Sequence, residues 1–102
     1  MSNASFVAYV GEPDFHDGSI LALERQGGAV RVRVRGASGK VFVAAFSGVL
    51  AVRDKSPEGM RLYALTELHG EPPVRRFVFA NWDDESKEYL EVDAADFSVF
   101  EE

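Results

Sequence analysis

Apolar and charged residues alternate without interruption along Ala29-Val30-Arg31-Val32-Arg33-Val34-Arg35. Successive side chains on a strand point to opposite faces, so the three valines line one face and the three arginines the other. β-branched Val is stiff at χ1 and suits a pleated strand. The pattern predicts a half-buried β-strand, in a sheet with one dry side and one wet side.

The same reading extends along the chain. Residues 6–10 and 19–25 are apolar and β-prone, and Gln26-Gly27-Gly28 leads the second of these into the Val/Arg strand through a hairpin. Gly36-Ala37-Ser38-Gly39 makes the next turn. Residues 40–46 are apolar on both faces, which predicts a central strand covered twice. Gly48 marks a bulge or bend, after which residues 49–53 continue on a second sheet. Residues 54–59 are a loop. Met60, Leu62, Ala64, Thr66 and Leu68 alternate as a strand, while Met60, Ala64 and Leu68 also share a helical face. Strand is the preferred reading, with one short helix near residues 60–68 as the alternative. Pro72-Pro73 ends that element, and residues 74–82 form a strand with Phe77 and Phe79 on one face. Residues 89–92 and 97–100 read as two short strands around Asp93-Ala94-Ala95-Asp96.

These elements predict an all-β, mainly antiparallel fold: a small β-sandwich or roll of six to eight short strands. The expected core is Val30, Val32, Val34, Phe42, Phe46, Phe77, Phe79, Leu90 and Phe97. At 102 residues the chain fits one domain, residues 5–102. Met1-Ser2-Asn3-Ala4 reads as a cloning remnant or disordered terminus. No apolar run approaches the ~20 residues that cross a bilayer, and the first residues lack the features of a signal peptide. The expected address is the cytoplasm, with no membrane association. Monomer and homodimer are both compatible with a small sheet protein that has edges.

Charge changes the picture in one respect. The formal net charge is −6, yet residues 25–61 are mostly basic and residues from Asp83 onward mostly acidic. The plainer expectation is that the two regions meet across neighbouring strands and offset each other. The sharper one is an acidic face for a basic protein partner, in which Trp82, Asp83, Asp84, Glu85 and Tyr89 form the contact.

Candidate chemistry is sparse. His16-Asp17 could pair an imidazole with a carboxylate, but neighbours on an extended chain point apart, and no nucleophile motif completes a catalytic set. A turn in which Phe15 plugs the core edge is the favoured reading. The chain has no cysteine, and His16 and His69 lack ligand partners at metal-binding spacing. No glycine-rich phosphate loop precedes a helix. Overall acidity and the lack of aromatics among the arginines argue against nucleic-acid binding. The expectation is a non-enzyme without metal or cofactor.

Phe15-His16-Asp17-Gly18-Ser19-Ile20 and Phe46-Ser47-Gly48-Val49 give the chain a resemblance to a loose group of small bacterial proteins. That group opens with a Phe-His-Asp-small-x-aliphatic motif followed by β-strands, and some members resemble immunity proteins of polymorphic-toxin systems. The resemblance covers the first half of the chain, and Gly18 stands where Ala or Ser would be expected. It implies a non-catalytic protein-binding module, with toxin neutralisation as one role. The alternative is a small-ligand-binding or catalytic domain around His16 and Asp17.

Overall fold

The computed structural model describes residues 6–70, 73–83, 85 and 87–102. Residues 1–4 and Asp84 lie outside them. Seven strands form one sheet: β1 (Phe6–Tyr9), β2 (Ser19–Gln26), β3 (Ala29–Arg35), β4 (Val41–Lys55), β5 (Leu62–Leu68), β6 (Arg75–Asn81) and β7 (Tyr89–Glu101). Their order is β1-β5-β6-β7-β4-β3-β2, and every pairing is antiparallel. Among the described residues, no helix is long and apolar enough to cross a membrane.

The sheet rolls until its β2 edge meets the approach to β5. The Leu62 amide donates to the Gly18 carbonyl at 2.8 Å, the Ile20 amide to Met60 at 3.0 Å, and the Gly59 amide to Ile20 at 2.7 Å. Ser19 bridges Arg61 between them. The start of β2 thus lies beside the approach to β5, while β1 lies beside the far half of β5. Of the two architectures expected, this is the roll.

The interior is filled by one face of each strand from β2 to β7. Val30, Val32 and Val34 are buried as the alternation requires, with Phe42, Phe46, Phe77, Phe79 and Leu90. Phe46 anchors the core, with ring centroids 5.2 Å from Phe77 and 6.0 Å from Phe79. Phe97, also expected in the core, is half-buried. It stacks on Phe46 at 5.7 Å, with the Arg75 guanidinium 5.6 Å from its ring centre.

Three sequence expectations need correction. Residues 89–100 are not two short strands but part of one thirteen-residue strand. Asp93-Ala94-Ala95-Asp96 resembles a turn in composition, yet Asp93 bonds Arg53 and Arg76 while Ala94 is buried in the core. Likewise β4 does not pass to a second sheet after Gly48. It bends there and stays paired with β7, its register shifting between Val49 and Ala51. Gly48 has φ +60°, and a Cβ on it would lie 2.9 Å from that of Ala95, so the bend of β4 nests against β7.

The third concerns residues 60–68, which form a strand as preferred, but with a change of phase. Leu62 pairs with Asn81 and Ala64 with Ala80, leaving Tyr63 as an extra residue. The bulge puts Leu65, not Ala64, into the core beside Leu62 and Met60.

Candidate functional site

The residues between β1 and β2 form a tight cap over one end of the roll. Gly11 permits it, because a Cβ there would come within 2.6 Å of the Phe15 ring and 2.9 Å of the Leu65 Cβ. Pro13–Phe15 make a single 3-10 turn, the Phe15 amide donating to Glu12 at 2.9 Å. Phe15 is fully buried and meets Phe42 edge to face at 5.6 Å. Asp17 takes a left-handed backbone, φ 68°, a conformation Asp tolerates better than most residues. Gly18 then passes so close to β3 that a Cβ would sit 2.5 Å from the Arg35 carbonyl oxygen. Backbone geometry therefore excludes the Ala or Ser expected at this position.

His16 and Asp17 turn to different partners. Asp17 faces Arg61 at 3.7 Å. The His16 Nδ1 lies 3.2 Å from the Tyr63 carbonyl oxygen. A carbonyl only accepts, so Nδ1 carries the proton in this bond, and in the neutral ring Nε2 holds the lone pair.

The His16 ring stands edge-on to two others, 5.2 Å from Tyr63 and 4.9 Å from Trp82. Tyr63 and Trp82 lie 5.7 Å apart, and Tyr9 touches Tyr63 at 6.5 Å. Register brings them together: Tyr9 pairs with Thr66, the bulge re-aims Tyr63, and the Trp82 amide donates to the Arg61 carbonyl at 2.9 Å. Tyr9, Tyr63 and Trp82 are 62%, 44% and 44% exposed, forming one continuous aromatic surface. Alongside it, an open cleft of about 380 Å³ runs between residues 11–16 and β5, lined by Tyr9, Glu12, Pro13, His16, Tyr63 and Leu65 among others.

The acidic segment begins where this surface ends. After Trp82, the Asp83 amide donates to Asn81 Oδ1 at 2.9 Å, and the Glu85 amide donates to Asp83 Oδ1 at 3.0 Å. Asp83 and Glu85 are exposed. Tyr89 is exposed too, but it stands opposite Lys55 on β7. Among the described residues, Trp82 makes its ring contacts with His16 and Tyr63, not with Tyr89.

The other acids mostly meet arginines, as the plainer charge expectation held. Arg53 binds Glu91 at 2.9 Å and Asp93 at 2.9 Å, Arg76 binds Asp93 at 3.1 Å, and Arg33 binds Glu102 through two N–H groups. Burial alone would push the Asp93 carboxyl up, but the hydrogen bonds from Arg53 and Arg76 outweigh it and hold it below its ordinary value. Hydrogen bonds from Arg75 and Arg33 do the same for Glu67 and Glu102. The acidic third is thus divided between a neutralised part on the sheet and the exposed Asp83 and Glu85 beyond Trp82.

His16 and Trp82 stand out separately in the sequence, whereas Tyr9 and Tyr63 do not. Tyr63 did leave a signal, since it falls between the apolar positions of an amphipathic strand. Among the described residues, no three acidic or imidazole side chains gather as a metal site would require. No family model, curated protein or solved structure matches the chain.

Proposed function

We propose that the chain is a non-catalytic protein-binding module that docks a basic partner protein through Tyr9, His16, Tyr63 and Trp82, with Asp83 and Glu85 at the rim. The carrying observation is the cluster itself: three large aromatic side chains exposed side by side, with His16 edge-on to Tyr63 and Trp82 and Tyr9 against Tyr63. Rigid aromatics offer large contact area at low entropic cost, and exposed clusters of this kind mark interaction surfaces. Carboxylates at the rim favour encounter with positive charge. Neutralisation of a toxin is the specific role the resemblance implies, and a basic nuclease would fit the rim.

The competing reading, a ligand or catalytic site at His16 and Asp17, has the cleft in its favour. Against it, Asp17 faces Arg61, and the His16 Nδ1 is already bonded to a backbone carbonyl. Affinity capture from the cell of origin at low salt tests the docking reading. The Tyr63→Ser/Trp82→Ser variant should lose the partner, and Asp83→Lys/Glu85→Lys should slow its capture. Full retention by the aromatic variant would count against the proposal.

A further inference from the structure

Three carboxylates lie on the turn that walls the cleft, and two of them have partners. Asp14 accepts from the Ser38 amide at 3.1 Å and the Ser38 hydroxyl at 2.6 Å, and Asp17 faces Arg61. Glu12 differs. It stands at the start of the 3-10 turn without capping it, it is exposed, and among the described residues it has no ion pair. Glu12 lines the same cleft as Tyr9 and Tyr63, and also a second hollow shared with Lys40 and Glu101.

A lone carboxylate beside aromatic rings is a setting for a cation. The protein already contains a filled example elsewhere. The Arg75 guanidinium lies 5.1 Å from the Phe77 ring centre and 5.6 Å from that of Phe97, while two of its N–H groups bond Glu67 at 2.9 Å each. A planar guanidinium can cover a ring with its face and still direct edge N–H groups at a carboxylate, which an ammonium does less well. At about 380 Å³ the cleft is near the lower end of ligand pockets, ~300–1,000 Å³, and suits one side chain.

We propose that the cleft formed by Tyr9, Glu12, His16 and Tyr63 receives an arginine side chain of the partner protein, with Glu12 as its counter-ion. This rests on the docking reading above and adds the chemistry of the residue recognised. The guanidinium lies against the tyrosine rings and donates to Glu12, with the His16 ring walling the same cleft. Its stem runs over Pro13 and Leu65.

The test uses two capped tripeptides, acetyl-Gly-Arg-Gly-amide and its citrulline counterpart, which has nearly the same shape without the charge. Binding is followed by the amide NMR shifts of Gly11, Glu12 and Ala64 in the whole chain. The arginine peptide should move these signals saturably, at roughly millimolar affinity and about tenfold more tightly than the citrulline peptide. Glu12→Gln should bring the arginine peptide down to the citrulline level. Equal binding of both peptides, an unaltered arginine affinity in Glu12→Gln, or shifts confined to other parts of the protein would each overturn the proposal. Partner capture separates it from the reading beneath it. Loss with Tyr63→Ser but full retention with Glu12→Gln overturns the arginine assignment alone, whereas retention by both variants overturns docking at this surface.

Discussion

The imidazole of His16 and the indole of Trp82 meet edge to face, their centroids 4.9 Å apart at an interplanar angle of 77°. This contact joins the turn ahead of β2 to the acidic segment after β6, and it makes one surface of two distant parts of the chain. Aromatic pairs of this geometry contribute about 0.5–1.5 kcal/mol beyond area burial. His16→Ala should therefore cost about 1 kcal/mol of stability. It should also move the emission of Trp82, the only tryptophan, to longer wavelength as water reaches the indole. An unchanged spectrum would mean that His16 does not order the cluster.

Two glycines separate a packing requirement from a permissive turn. Gly18→Ala forces a Cβ to 2.5 Å from the Arg35 carbonyl oxygen and 3.0 Å from that of Phe15. Relieving such overpacking typically costs about 1–3 kcal/mol. A Cβ on Gly28 meets nothing within 4 Å, so Gly28→Ala should change stability by less than about 0.5 kcal/mol. Urea unfolding of the two variants checks the contrast, and equal effects would contradict it.

Phe46→Ala should be among the most damaging single changes. The side chain is buried and contacts Phe77, Phe79 and Phe97, so its removal opens a cavity between three rings. A loss of about 3–5 kcal/mol is expected from the same denaturation experiment.

Acid should weaken the fold through its arginine-paired carboxylates. Asp93, Glu67 and Glu102 are held below their ordinary values, so the unfolded chain binds protons more readily than the folded one. Their contribution is fully present above the unfolded values near about 4 and is lost as pH falls through the lower folded values. The urea midpoint should accordingly drop between about pH 5 and pH 3. Asp93→Asn should flatten part of that slope and cost about 1–2 kcal/mol at neutral pH, a modest figure because Arg53 and Arg76 are over a third exposed and screened. A midpoint indifferent to pH over this range would remove these ion pairs from the account.

Local pattern carried much of the fold. Val30, Val32 and Val34 lie inside as their alternation demands, and Gln26-Gly27-Gly28 turns β2 into β3. Continuity was harder to read. Asp93 looks like a turn residue until Arg53 and Arg76 are placed beside it, and those partners come from two other strands. Closure of the roll was also hidden, since it rests on main-chain bonds such as Leu62 to Gly18, which no side-chain pattern encodes. For the candidate site, His16 and Trp82 were visible as separate residues. Tyr63 joins them only because of a bulge, and a one-residue change of phase in β5 has no clear mark in Leu62-Tyr63-Ala64-Leu65.

The most direct test of the central claim is hydroxyl-radical footprinting of the protein free and bound to its captured partner. Tyr9, Tyr63 and Trp82 are exposed in the free chain, as are Leu50 and Phe100 at other positions. If the aromatic cluster is the docking surface, Tyr9, Tyr63 and Trp82 become protected in the complex while Leu50 and Phe100 keep their reactivity. Tyr63 and Trp82 remaining as reactive in the complex as in the free protein would contradict the account.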